Sequence, residues 1–242
     1  VISRKLSAKI IMTIFNYQGE EIIDKIIIKQ GKKHYEKVWM PRTVFNDSDG
    51  KDAYIIGNGE SRKDFDLYSL PQDTYGCNAL HRDYEPDFLI VIDQHMYQEV
   101  IHSEYGEKNI VYTNRNNMKK HAGTCHLIPQ NPHVGAGTTA MHVAIHDGHT
   151  NLICLGFDCN EDAPNNNVYK NTKCYHDSNT VVHQTVWGKQ IYQLIAKHPD
   201  VQFSFVGGDP YQPFFELHNC NQWTYNKLNT HINNTNETTR SN

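Results

Sequence analysis

Two periodicities alternate along most of this chain. Short apolar runs of strand length recur at Ala53–Ile56, Thr74–Ala79, Asp87–Ile92, Asn109–Thr113, Asn151–Gly156 and Val201–Val206. Asp87–Ile92 is continuously apolar after its first residue, as expected of a strand buried on both faces of a sheet. Between these runs lie segments with helical spacing. Thr138–Gly148 places Met141, Ala144 and Ile145 on one face, and Thr180–His198 carries a stripe of Val182, Val186, Ile191, Leu194 and Ile195. Shorter helices are predicted over Lys63–Leu70 and Tyr97–Tyr105, and a further strand over Thr124–Ile128. Strands separated by helical crossovers predict an α/β protein with a doubly wound, mostly parallel, Rossmann-like sheet.

The two flanks follow other patterns. Ile10–Tyr17 reads as a strand, Gln18–Glu20 as a turn, and Glu21–Gln30 as a strand or short helix in which Ile26–Ile28 favours the strand. Asn46–Gly50 is a turn-rich break. The predicted organisation is a small β-rich N-terminal attachment over 1–50, a nucleotide-binding domain over 51–218 and a polar tail over 219–242. The tail is rich in Asn and Thr and is expected to be disordered from about Asn229.

Composition narrows the function classes. The formal charge of −4 argues against a generally basic surface, so nucleic acid is not an expected partner. No apolar run approaches the ~18–20 residues of a membrane span. The six cysteines are scattered without a C-x-x-C pair, which fits reduced thiols and a cytoplasmic setting better than a disulfide framework or zinc knuckle. Val1–Ile11 lacks the apolar core of a secretory leader and reads as an extension before an initiating Met12.

In open α/β sheets, ligands sit beyond the carboxyl ends of the strands. The first strand of the main pattern delivers Gly57-Asn58-Gly59 and then Ser61. Glycines there tolerate positive φ and let a phosphate or sugar approach main-chain N–H groups. The next strands deliver Cys77 and Asn78, then Asp93, then Asn114 and Arg115, and a later one delivers Asp158. Gly135-Ala136-Gly137-Thr138-Thr139 opens a helix, where free N–H groups, the helix dipole and two hydroxyls make an anion site. Thr138 or Thr139 as a plain helix cap is the simpler alternative. Asp93 reads either as a ligand for a phosphate-bridging metal or as the cap of the helix after it.

The loop Asn160–Asn179 carries Tyr169, Tyr175, His176 and Ser178, with His183 just beyond. A loop of this length in a compact domain is either functional or disordered. Tyrosine hydroxyls can donate to a leaving phosphate, and histidine can act as a base near neutral pH. His142, His146 and His149 have near-helical spacing, and the first two could share a metal, although the Glu of the zincin pattern does not accompany them.

Taken in order, Gly57-Asn58-Gly59-x-Ser61, Gly76-Cys77-Asn78, Gly137-Thr138-Thr139, Gly156-Phe157-Asp158 and a Tyr/His loop resemble the bacterial sialyltransferases that modify lipooligosaccharide. The chain is also similar to the wider group with motility accessory glycosyltransferases and 6-hydroxymethylpterin diphosphokinase-like proteins, including some phage-encoded members. The resemblance runs from about Ala53 to Gly207. It implies that Asn58 and Ser61 contact a nucleotide, that Asn78 lies near phosphate and ribose, and that Gly137–Thr139 and Asp158 complete the nucleotide site. It implies that Tyr169, with Tyr175, assists the leaving phosphate, and that His183 or His176 is the base. Glu60 departs from the family, which usually has proline there.

The expected activity is transfer of a sugar from a nucleotide-sugar donor, such as a CMP-sugar, to a glycan or other hydroxyl acceptor, with no metal required. The pterin kinase resemblance implies instead diphosphoryl transfer with Mg2+ held by Asp93. A non-catalytic phage binding or assembly protein is the third reading.

Overall fold

A computed structural model describes residues 9–17, 20–29, 32–36, 52–71, 73–118, 125–159, 167–175 and 184–240. At the N-terminus, β1 (Lys9–Tyr17), β2 (Glu20–Lys29) and β3 (Lys32–Glu36) form a three-stranded antiparallel meander. Phe15 pairs with Ile22 and Ile26 with Tyr35. The isoleucine-rich segment is thus a strand, and Glu20, expected in the turn, already belongs to it.

The main sheet contains β4 (Asp52–Ile56), β5 (Thr74–Cys77), β6 (Phe88–Val91), β7 (Ile110–Thr113), β8 (His126–Leu127), β9 (Asn151–Leu155), β10 (Gln202–Val206) and β11 (Cys220–Trp223). Its helices are α1 (Gln94–His102), α2 (Tyr105–Lys108), α3 (Arg115–Met118), α4 (Ala136–His146), α5 (Gln184–Lys197) and α6 (Tyr225–Arg240). All eight strands are parallel, in the order β11-β10-β9-β4-β5-β6-β7-β8. The chain steps outward from β4 to β8, then returns through α4 to β9 on the other side of β4. The switch point therefore lies between β4 and β9, where a doubly wound sheet opens a crevice.

Strand alternation sends successive side chains to opposite faces. Ala53 and Ile55 pack with Met141 and Ala144 of α4 and with Ile191 and Ile195 of α5. Tyr54 and Ile56 belong to the opposite core, with Met96, Tyr97 and Val100 of α1 and with Leu228 and Ile232 of α6. Burial on both faces accounts for the apolar strand runs.

Two elements depart from the sequence pattern. Lys63–Leu70 is not one helix: 3-10 turns cover Glu60–Arg62 and Leu67–Ser69, and the Asp66 carboxylate caps the second through the N–H of Tyr68. Residues 219–240 do not form a structureless tail, since β11 extends the sheet and α6 runs through Arg240. Tyr225, Leu228 and Ile232 supply one narrow apolar stripe, which suffices because it is buried against the sheet. Buried Asn219 anchors the start, its amide nitrogen lying 2.9–3.3 Å from the carbonyls of Ile195, His198 and Val201. Among the described residues, no helix is long and apolar enough to cross a membrane.

Candidate functional site

The ends of β4 and β9 remain paired beyond the strands. Gly57 N–H donates to Leu155 O at 2.8 Å and Gly59 N–H to Gly156 O at 2.9 Å. A Cβ on Gly57 would lie 2.4 Å from the Gly156 carbonyl oxygen, so close approach of two main chains requires glycine there. Gly156 itself has φ +71°, the left-handed region. Buried Asp158 follows, and its carboxylate accepts the N–H of Ser61 at 2.8 Å. Beneath this turn lies Arg62, only 4% exposed. Its Nε donates to Gly57 O at 2.7 Å and its Nη2 to the Tyr169 hydroxyl at 3.1 Å.

Above the switch point is a cleft of about 300 Å³. That volume is at the lower end of the ~300–1,000 Å³ of small-molecule sites. One wall is the first turn of α4. Among the described residues no side chain caps this helix, and the cap residue Gly135 donates its own N–H to Gln190 Oε1 at 2.9 Å. The N–H groups of the first helical residues, Ala136, Gly137 and Thr138, precede the intrahelical ladder, which begins with Thr139 N–H to Gly135 O at 2.9 Å. All three residues line the cleft.

The facing wall is built of side-chain amides. Asn58 Nδ2 donates to Cys77 O, and Asn78 Nδ2 donates to Asp93 Oδ2, each at 3.2 Å. These bonds fix which end of each amide is nitrogen. Both Oδ1 atoms, together with Ser61 Oγ, are shielded from solvent and have no hydrogen-bond partner among the described residues. A buried polar atom without a partner costs ~1–3 kcal/mol, a cost that turning the Asn58 or Asn78 amide toward a donor on a ligand in the cleft would relieve. Asn78 holds φ 51°, a left-handed conformation that asparagine tolerates better than most residues.

Tyr175 closes the cleft beside these amides. Burial pushes its hydroxyl above the ordinary tyrosine range, with the Asn58 amide opposing, so it stays a hydrogen-bond donor at neutral pH. Burial also pushes the thiols of Cys77 and Cys159 up to about 12, which leaves both protonated and makes them wall rather than nucleophiles.

A second groove of about 560 Å³ shares Asp93 and Tyr175 with the cleft and runs along α1 past His95, Glu99 and His102. Its far wall is the 167–175 segment, held by Arg82. That guanidinium grips Glu99 at 2.7 and 2.9 Å, donates to Thr172 Oγ1 at 2.7 Å and Lys173 O at 2.8 Å, and lies over the Tyr169 and Tyr175 rings. Its bidentate contact holds the Glu99 carboxyl below the usual range.

Of the residues singled out by sequence, Gly57, Asn58, Gly59, Asn78, Asp93, Gly137, Thr138, Asp158 and Tyr175 meet around this cleft. Ser61 sits behind it, its N–H engaged by Asp158. Thr139 is a helix residue whose hydroxyl donates back to Gly135 O at 3.0 Å. Tyr169 is buried, and its hydroxyl bonds Asp83 and Arg62, so it braces the loop instead of lining the cleft. His176 and His183 lie outside the described residues. Asn114 ties its strand end to Ile92 O at 2.8 Å.

Two alternatives need correction. Asp93 does not cap α1, because no side-chain capping bond forms and the carboxylate turns to Asn78 instead. His142 and His146 do lie side by side, 6.3 Å between ring centroids, but His142 Nε2 meets Pro129 O at 2.9 Å and buried His149 lies edge-on to Tyr75. Among the described residues, no group of three or more His, Cys, Asp or Glu side chains could hold a metal ion.

Arg62, Arg82, Trp187 and Gln190 were not legible as site residues. Arg62 looks like a surface charge after a turn, and only the three-dimensional fold returns it beneath Gly57.

Fold and cleft together define a doubly wound α/β protein with a candidate ligand site at the switch point of its sheet. Comparison of the chain with protein-family models, with curated proteins and with solved structures gives no match.

Proposed function

We propose that this protein is a nucleotide-sugar-dependent transferase that moves a sugar to an acceptor hydroxyl. The observation that carries this reading is the convergence of the Gly57–Gly59 turn, the Asn58 and Asn78 amides and the first turn of α4 on one cleft at the switch point. Main-chain N–H groups at a helix start favour a phosphate. Buried Arg62 adds positive potential beneath the turn without entering the cleft. The Asn58 and Asn78 Oδ1 atoms suit ribose or sugar hydroxyls, which donate.

The second groove supports a two-substrate reaction. Its shared wall, Asp93 and Tyr175, is where a donor in the cleft would meet an acceptor in the groove. Tyr175, protonated at neutral pH, would donate to the departing phosphate as the bond to the sugar breaks. The proton released by the acceptor hydroxyl would pass to His183 or His176, the bases that the family resemblance implies.

A thermal-shift screen of CMP-, UDP- and GDP-sugars, CTP, GTP and ATP, with and without magnesium, tests the reading. Ligand binding to the native state must raise its stability, by ~2.7 kcal/mol at a hundredfold excess over the dissociation constant. A rise in melting temperature with one nucleotide-sugar, independent of magnesium, followed by nucleotide release on adding sugar acceptors, is the expected result. No shift with any of them at millimolar concentration would overturn the proposal. A shift given only by a nucleoside triphosphate with magnesium, and lost in Asp93→Ala, would turn it toward diphosphoryl transfer.

A further inference from the structure

The two ends of the cleft differ in chemistry. The strand order places the ends of β9, β4, β5 and β6 side by side. At the β5 and β6 end stand Asn78, Asp93 and Tyr175, next to the second groove. At the β9 end the walls are Phe157, Cys159, Ile191 and Trp187. Gly137 lies against Phe157, where an added Cβ would be 2.9 Å from the ring. Gly135 lies against Trp187, where an added Cβ would be 3.4 Å from the indole. The first turn of α4, with its free N–H groups, thus runs between two aromatic rings.

Trp187 is unusual among these apolar residues. The other large wall residues are in or against the core, whereas Trp187 is 38% exposed. It stands on α5 one turn before Ile191, which is fully buried. Its position is fixed from behind, because Gln190 of the same helix accepts the Gly135 N–H. An indole that lines the cleft beside a helix N-terminus and stays 38% exposed offers a flat face to a flat ligand group.

We infer that Trp187 is the stacking platform for a planar heteroaromatic ring, which orients the ligand with its base at the β9 end and its transferable group at the Asp93–Tyr175 end. The inference rests on the nucleotide reading above. It adds the binding polarity and a residue that sets base affinity. In this arrangement the phosphate lies midway, at the Ala136–Thr138 N–H groups, and the reacting bond faces the second groove.

The test uses CMP, UMP, GMP, AMP and ribose 5-phosphate as probes on the full chain, with tryptophan fluorescence and calorimetric titration. At least one nucleotide is expected to bind and quench the wild-type fluorescence, because a stacked base contacts the indole. In Trp187→Ala that nucleotide should bind about tenfold more weakly, within the ~1–3 kcal/mol observed for base–aromatic stacking. Ribose 5-phosphate, which has no base, should bind both proteins equally. Trp187→Phe should keep most of the affinity and lose the quench, so it reports on the platform even if the alanine variant folds poorly. Unchanged nucleotide affinity in Trp187→Ala, or equal loss of nucleotide and ribose 5-phosphate affinity, would overturn the stacking role and leave the nucleotide reading standing. A wild-type protein that binds none of the nucleotides would instead remove the reading on which the inference rests.

Discussion

The Asp158 carboxylate accepts the main-chain N–H of Ser61 at 2.8 Å, pinning the end of β9 to the turn that leaves β4. Glycine at 59 and 208 makes room for it, since an added Cβ would lie 2.5 and 2.1 Å from its two oxygens. A hydrogen bond to a charged group contributes ~1.5–3 kcal/mol. Asp158→Ala is expected to lower the unfolding free energy by about that amount in urea titrations. It should also weaken binding of the nucleotide selected by the thermal-shift screen, because the turn that presents Asn58 is released. Asp158→Asn retains an acceptor oxygen and should lose less of both.

Asn78 separates stability from binding. Its left-handed backbone costs most L residues ~1 kcal/mol, and glycine removes that cost. The bond lost, from Nδ2 to Asp93, is exposed and contributes little. Asn78→Gly is therefore expected to stay within about 1 kcal/mol of wild-type stability. It should nevertheless bind nucleotide at least about tenfold more weakly, since an orphaned acceptor in the cleft is gone. Paired urea and calorimetric titrations give the two numbers, and equal losses in both would contradict a binding role for this amide.

Two glycines at the same cleft should behave oppositely. Gly57→Ala drives a methyl to 2.4 Å from the Gly156 carbonyl, a main-chain atom that cannot swing aside. Overpacking of this kind costs ~1–3 kcal/mol or more. Gly135→Ala meets Gln190 and Trp187 only at 3.4 Å, where both side chains can yield. It should remain within about 1 kcal/mol of wild type, given that its backbone lies at ordinary negative φ. Melting temperatures of the two variants decide the comparison.

The parallel sheet was legible because its inner strands, β4 to β7 with β9 and β10, are buried on both faces, which leaves an apolar run that needs no knowledge of its partners. The strand-end residues Asn58, Asn78 and Asp158 were legible for a related reason: in this architecture position in the chain fixes position on the rim. Residues that act from the side were not. Trp187 looks like one more apolar residue beside the stripe of α5, and Arg82 owes its role to the 167–175 segment folding back over it. The C-terminal helix escaped because Leu228 and Ile232 stand among Asn and Thr residues, and mean polarity outweighed a stripe that only the sheet makes meaningful.

That helix also supports the site from behind. The Tyr225 hydroxyl donates to Ser61 O at 2.7 Å, its ring stacks on Phe65 at 5.2 Å, and further along the helix His231 bonds Asp52 at the start of β4. Leu228 is fully buried. Leu228→Ala should cost ~2–5 kcal/mol, the range for emptying a core site, measured by urea unfolding. Tyr225→Phe removes one neutral hydrogen bond and should cost ~0.5–1.5 kcal/mol. A protein truncated after residue 218 should lose nucleotide binding together with stability, whereas unaltered binding would show that β11 and α6 are dispensable for the cleft.

Stability should fall on mild acidification because of a histidine on α4. Burial and the neighbouring His142 lower the His146 pKa to about 4, from an ordinary value near 6.5. Burial also lowers His198, with Lys197 and His142 acting in the same direction. Between these two pH values the unfolded chain binds a proton that the folded protein refuses. Acid therefore draws the equilibrium toward the unfolded state. The effect is absent above about pH 6.5, grows as the pH falls, and levels off below the folded-state value near 4. His146→Gln, which cannot take up a proton, is expected to flatten this part of the stability profile by about 1 kcal/mol or more between pH 7 and 4.5. Urea titrations of the two proteins across that interval measure the difference, and parallel profiles would mean that His146 protonates equally well in the folded chain.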